Sequence, residues 1–271
     1  MTVVAELTGP ARELRVRRCA GATGFTAVAD RDGVHLTHSL DETTVSDHRV
    51  VAGLCALVSS GALAGQEEFE TAFTRVVEDC GPDPAAGWRA FYRNSVRELR
   101  SGHSSFSPVH RRARSLLVGD SVLEVGSCFG FLALQCAQDG YQVTACDICP
   151  GALDLLDAAA ADLGAAVTTV AGDARALPQP DDAVDTVTLI HLLEHLDGPD
   201  VQAAIGEALR VARRRVVIAV PYESEPSGHF GHRQRLSAAD LSHWASRWPG
   251  CTAEIFADHG GWLVLDHPGP C

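Results

Sequence analysis

The chain has 271 residues, 46% of them hydrophobic, which is room for one large domain with a proper core plus a smaller one. Its net charge of −13, from 35 acidic against 22 basic residues, repels phosphate backbones unless a local basic patch overrides it. No apolar stretch reaches the roughly 18 residues of a membrane span. The start lacks the apolar core of a signal peptide, and the nine cysteines are scattered rather than set in a disulfide framework, so a cytosolic protein with reduced thiols is expected.

In chain order, residues 1–85 read as a small α+β region. It holds strand-like runs at Leu14–Arg18 and Val34–Leu36, an Asp32-Gly33 turn before the second, and a helix over Ser46–Ser59. Residues 86–118 read as a helical lid or linker, interrupted at Ser101–Pro108. Arg89, Arg93, Arg97 and Arg100 recur there every three or four residues opposite Phe91 and Leu99, and Arg111, Arg112 and Arg114 follow. A solvated amphipathic face explains the spacing; a nucleic-acid patch would need stacking aromatics, and few accompany it, so no nucleic-acid partner is expected.

Residues 119–271 read as an open α/β sheet. The run from Ser121 ends at Val125 after Glu124, turns through Gly126 and Gly130, and passes into a helical segment, Phe131–Gln138. Such a strand, loop and helix brings backbone N–H groups and a carboxylate to the carboxyl edge of a parallel sheet, where ligands bind. The next run, Tyr141–Cys146, ends in Asp147, 21 residues after Gly126, where an acidic side chain can accept from both hydroxyls of a ribose. A nucleoside-bearing ligand follows. That ligand could be a dinucleotide or S-adenosylmethionine; a dinucleotide fingerprint needs Gly-x-Gly-x-x-Gly, whereas here the spacing is Gly126-x-x-x-Gly130 with Ser127 and Cys128 between. Cys146-x-x-Cys149 is a close pair, open to a redox or metal role or to ordinary buried and loop thiols.

Further runs close at Val170–Ala174 and at Ile190, within Asp185–Ile190, and a fifth spans Arg215–Pro221. Ala253–Ala257 and Trp262–Leu265 flank Asp258-His-Gly-Gly261 as a terminal hairpin. His191-Leu-Leu-Glu194-His195 follows the fourth run. As a string it matches an inverted zinc-protease motif, but it stands at a strand tip and not on a long zinc-binding helix.

Taken together these motifs resemble class I S-adenosylmethionine-dependent methyltransferases. The resemblance implies an α/β fold: a Rossmann-like, mostly parallel sheet with an antiparallel C-terminal hairpin and a small N-terminal α+β extension. It implies that Glu124 lies below the amino-acid end of the cofactor and that the loop of Gly126, Ser127, Cys128 and Gly130 wraps it. It places Asp147 at the ribose and Asp173 and Ala174 at the adenine amino group, and counts Ile148 and Ile190 among the cofactor-binding residues. Cys128 stands where the family has a glycine. Helices entering from residues 86–118 lie over the pocket in such enzymes, which makes Phe91, Tyr92 and Arg93 candidate lid residues, unless they merely pack their helix.

Some O-methyltransferases, of the ubiquinone pathway and of small-RNA 2′-O-methylation, carry Glu-x-x-Glu-His at this strand tip and bind a divalent ion there. By that resemblance His191, Glu194 and His195 form a metal site, completed by His229 or His232; His191 replaces the first Glu. The donor set suits zinc, manganese or cobalt better than magnesium. Without a metal, His191, His195 or His232 serves as general base, which a weakly acidic sugar hydroxyl requires. The Ser127–Phe131 loop, the Phe91-Tyr-Arg-Asn-Ser95 segment and the His191–His195 block also resemble an actinobacterial methyltransferase family of the mycofactocin pathway, which acts on an oligosaccharide. A neutral glycan acceptor suits the acidic surface, as would a quinone or polyketide; a nucleoside-binding module without catalysis and a dinucleotide-dependent oxidoreductase are the readings of other classes.

Overall fold

The computed structural model describes residues 13–267 except 20, 22, 23 and 32, so Asp32 of the expected turn, and residues 1–12, lie outside the described residues. It divides into two units, Met1–Ser105 with Ser227–Gly231, and Phe106–Pro226 with His232–Cys271.

In the first unit a three-stranded sheet has the order β1 (Leu14–Arg18), β3 (Gly33–His38), β2 (Thr26–Asp30), with β1 parallel and β2 antiparallel to β3. Three helices accompany it: α1 (Asp47–Ser59), α2 (Gly65–Glu78) and α3 (Pro84–Ser101). Ser46 is not in the first helix but caps it, its side chain accepting from Arg49 N. Asp83 does the same for α3, accepting from Ala86 N at 2.8 Å, with Pro84 at the first turn and Gly102, φ 84°, ending it. Phe91 and Tyr92 are buried, Phe91 edge-on to Phe73 and Trp88, whereas Arg89, Arg93, Arg97 and Arg100 line the exposed face. Phe91 and Tyr92 therefore pack inside this unit.

The expected segment 86–118 is divided: α3 belongs to the first unit and α4 (Ser107–Ser115) to the second. The physical reason is packing, since α3 sits against α1 and α2 while α4 meets a strand of the large sheet.

The second unit is built on a seven-stranded sheet. Its strands are β4 (Ser121–Val125), β5 (Gln142–Asp147), β6 (Val167–Ala171), β7 (Val184–Ile190), β8 (Ala212–Val220), β9 (Thr252–Ala257) and β10 (Gly261–Asp266), in the order β6-β5-β4-β7-β8-β10-β9. All neighbours are parallel except the last two pairs, β8 with β10 and β10 with β9. Between strands run α5 (Phe131–Gln138), α6 (Pro150–Leu163), α7 (Gly198–Val211) and α8 (Ala238–Ser246). The central strands are largely buried: β8 ends in the apolar run Val216–Val220 and β7 buries Thr186 and Thr188 between apolar residues, and Leu123, Val187, Leu189, Val216, Ile218 and Leu263 meet α7 and α8 in one core. The fold is the Rossmann-like α/β sheet with an antiparallel terminal hairpin that the motifs imply.

Strand order reverses between β4 and β7, which pair through Glu124 and Thr188. A crevice at the carboxyl ends of two such strands is where open α/β sheets bind ligands. Among the described residues no helix is long and apolar enough to cross a membrane, and the eight described cysteines are free.

Candidate active site at the carboxyl edge of the large sheet

The loop after β4 is held by backbone and one carboxylate. The amides of Gly126 and Ser127 donate to Cys146 O at 2.8 and 3.1 Å, and Gly130 N donates to Ser127 O at 2.6 Å. Asp147 holds two amides: Oδ2 accepts from Cys128 N at 2.7 Å and Oδ1 from Cys149 N at 2.8 Å. The turn needs left-handed backbone at Gly126 (φ 72°) and Gly130 (φ 65°), and also at Cys128 (φ 49°). A Cβ on Gly126 would come within 2.7 Å of Leu192 Cδ1, and one on Gly130 within 2.3 Å of Leu156 Cδ2. These two glycines therefore serve loop conformation and helix packing together.

Glu124 is buried, and its Oε2 accepts from Ala133 N at 2.8 Å in the first turn of α5. Burial pushes its carboxyl up to about 8, opposed by the Ala133 amide and reinforced by Asp147. Two further features mark this edge. Ser127 Oγ is buried without a hydrogen-bond partner, and Ile148 beside Asp147 is 54% exposed. Asp173, expected at the adenine, is bound by Arg175, Nη2 to Oδ2 at 2.6 Å, and that contact first of all lowers its pKa; Arg175 also reaches Asp200 at 2.8 Å. Ala174 packs against the core, and Ile190 ends β7 half-buried. Cys146 is a buried thiol pushed up to about 11 by burial, while Cys149 is exposed.

The tip of β7 carries the histidines. His191 takes a left-handed backbone, φ 54°, and its amide donates to Ala219 O at 2.8 Å. A single helical turn, Leu193–His195, follows. Glu194 is fully buried, and neither carboxyl oxygen has a hydrogen-bond partner. Two imidazole nitrogens lie near Oε1, His191 Nδ1 at 3.5 Å and His232 Nε2 at 3.9 Å. His232 arrives from beyond β8, its ring edge-on to His195 with centroids 4.9 Å apart. One ligand atom from each of Glu194, His195 and His232 lies within 4.8 Å of the others. His191 stands beside this trio, against Glu194 and 4.9 Å from the ring of Phe106, which is 37% exposed. His229 packs in the first unit, 3.6 Å from Cys55 Sγ and against Phe69 and Phe230.

Burial pushes Glu194 up to about 8 and His191 down to about 4, the latter with a further push from His232. Both shifts act against an ion pair across their 3.5 Å contact. An unpartnered buried carboxyl costs a few kcal/mol, and a cation beside it would remove both the cost and the proton. The donor set, one carboxylate and two imidazoles, fits a zinc-like ion.

The sequence reading missed Glu223. Its Oε2 lies 2.7 Å from His232 Nδ1. The only sequence signal is an acidic residue in the same post-strand loop as His232, with nothing in its spacing to set it apart from Glu225.

Residues 123–220 match the family described as "Methyltransferase domain". Among solved structures, a protein of Pyrococcus horikoshii OT3 is similar at 17% identity and a TM-score of 0.53, over 64% of this chain and 92% of that one. A protein of Methanococcus maripaludis, provisionally described as an S-adenosyl-L-methionine-dependent methyltransferase, gives 15% identity and a TM-score of 0.51, over 67% and 94%. Uncharacterised proteins of Mycobacterium tuberculosis and Mycobacterium bovis are 34% identical over 113 residues, 42% of this chain. The chain spans 40% of the length of those curated relatives. Residues 123–220 thus match a methyltransferase-domain family, and they lie in a unit whose Rossmann-like sheet is similar to those of these solved structures.

Proposed function

We propose that this protein is a cytosolic S-adenosylmethionine-dependent O-methyltransferase that methylates a sugar hydroxyl of an oligosaccharide, that of mycofactocin. The observation that carries the reading is the meeting of two half-sites at one sheet edge: the Glu124/Asp147 loop and the Glu194, His195, His232 trio on the adjacent strand tips. The cofactor, when bound, supplies a methyl group on a positively charged sulfur. Asp147 would accept from the ribose hydroxyls while still pinning the loop, Ser127 Oγ would gain its missing partner, and Ile148 would cover an apolar ring face.

The acceptor oxygen must line up behind the S–CH3 bond. As its lone pair forms the O–CH3 bond, the S–CH3 electron pair stays on sulfur and the hydroxyl proton must leave. Glu194, His195 and His232 would hold a divalent cation, which lowers the pKa of neighbouring hydroxyls, and with the hydroxyl so acidified even His191, whose basicity burial lowers, would serve to take the proton. The unpartnered Glu194 carboxyl favours this arrangement. The Glu223–His232 contact favours a second, in which His232 or His195 acts as base without an ion. Phe106 offers an exposed apolar wall beside His191 for a sugar or quinone ring.

The test uses purified protein, methyl-labelled cofactor, and oligosaccharide, quinone and polyketide acceptors, read by mass spectrometry. One added methyl on the glycan supports the proposal. Turnover confined to a quinone or polyketide reassigns the acceptor, and binding without turnover marks a non-catalytic module. In the same assay a chelator should abolish turnover and a divalent metal restore it, and alanine at Glu194, His195 or His232 should remove bound metal and activity together. Full activity under chelation selects the base arrangement, in which His195→Ala or His232→Ala costs about 10²–10⁴ in rate with cofactor affinity intact.

A further inference from the structure

Neutral imidazole carries one proton on either of two nitrogens, and the hydrogen bond made by one nitrogen decides which lone pair the other presents. His232 Nδ1 lies 2.7 Å from Glu223 Oε2, while its Nε2 faces Glu194 Oε1 at 3.9 Å and its ring abuts His195. The His232 side chain is 8% exposed and that of Glu223 20%, so the pair is largely shielded from competing water. An ionised carboxylate only accepts, so with Glu223 ionised the hydrogen in this contact would belong to Nδ1. That leaves a lone pair on Nε2, directed at the Glu194 and His195 side of the site.

We propose that Glu223 is the positioning residue of the site: it holds His232 as the Nδ1–H tautomer and fixes the ring so that Nε2 is the working atom. The role rests on the histidine cluster being the reaction centre, yet it is the same in both arrangements above. An ion needs an unprotonated Nε2 as ligand, and a base needs it as proton acceptor. Carboxylates behind metal-bound histidines commonly act this way, and their loss weakens metal binding about 10- to 100-fold. Glu223 lies beyond β8 and His232 nine residues on, so the contact also anchors the return of the chain to the second unit.

The experiment compares full-length wild type with Glu223→Gln, Glu223→Ala and His232→Ala, all checked for native circular dichroism. Long-range ¹⁵N spectra of histidine-labelled protein read the tautomer, and the signals absent from His232→Ala identify His232. Wild type should show His232 as the Nδ1–H form. Glu223→Ala should revert to the Nε2–H form that free imidazole side chains prefer, and Glu223→Gln, which keeps the shape but offers both a donor and an acceptor, should show a mixture. Cobalt(II) titrated by calorimetry should bind the two Glu223 variants about 10- to 100-fold more weakly than wild type. An Nδ1–H form persisting in both variants overturns the proposal, whatever cobalt does. A wild type that ignores cobalt removes the ion arrangement alone, and the tautomer spectra then decide Glu223 by themselves. Should Glu223→Ala fail to fold, the Gln variant carries both readouts.

Discussion

Cys128 and His191 both sit at positive φ, 49° and 54°, where an L side chain costs about 1–2 kcal/mol. Such strain persists only where neighbours over-determine it, and here they are named: Asp147 takes the Cys128 amide and Ala219 O the His191 amide. Cys128→Gly should relieve the strain at the loop. Because glycine also loosens the unfolded chain, the expected gain is about 0.5–1 kcal/mol in urea unfolding, with cofactor affinity equal or tighter. A large loss of affinity would mean that the Cys128 side chain itself packs on the cofactor. Asp147 carries two tasks, so Asp147→Ala should do more than remove a ribose contact. Each charge-assisted bond lost costs about 1.5–3 kcal/mol, which predicts at least a tenfold fall in S-adenosylmethionine affinity by calorimetry. Asp147→Asn, which keeps one acceptor oxygen, should fall between the two, and unchanged affinity in both variants would remove Asp147 from the ribose site.

At the scale of elements, Glu124 links the end of β4 to the first turn of α5 through Ala133 N. Its folded pKa, about 8, is raised above the ordinary 4.5 by burial, so the proton is held more tightly in the folded state. For such a group the stabilising contribution is complete below pH 4.5 and is lost as pH rises towards 8. Glu124→Gln, which keeps the acceptor for Ala133 N, should therefore gain on wild type by about 1–3 kcal/mol between pH 5 and pH 8 in urea unfolding of the cofactor-free protein. Parallel curves for the two would mean that Glu124 is solvated. This element was legible in the sequence: an apolar run, an acid and two glycines predict strand, loop and helix, and the structure places β4 at Ser121–Val125 and α5 at Phe131–Gln138. The N-terminal sheet was only half legible. Thr26–Asp30 is short and mostly exposed, with no apolar alternation to announce it, and it exists because β3 offers it an edge. The histidine cluster was legible as a string on one strand tip, but not as geometry. That Glu194 joins His195 and His232, with His191 at the side and His229 in the other unit, depends on backbone turns that no periodicity reports.

The whole molecule carries 35 acidic and 22 basic residues, and two arginines of the candidate basic patch, Arg112 and Arg114, are paired with carboxylates, as is Arg175 elsewhere. Arg112 binds Asp258 at 2.7 Å, Arg114 binds Asp139, and Arg175 bridges Asp173 and Asp200. A surface of that sign raises the local concentration of cations and neutral solutes relative to anions, and its field fades beyond about 8 Å at physiological ionic strength. The acceptor's charge can therefore be read from salt alone. A neutral oligosaccharide releases no counterions on binding, so its KM should stay within about twofold as sodium chloride rises from about 50 to 500 mM. A phosphate-rich acceptor would instead be repelled at low salt unless it met a local basic site, and in either case its KM would move steeply with ionic strength. Initial rates on the glycan across that range check the prediction. A flat KM is the expected outcome, and a strong salt dependence would point to a charged acceptor and set the neutral-glycan reading aside.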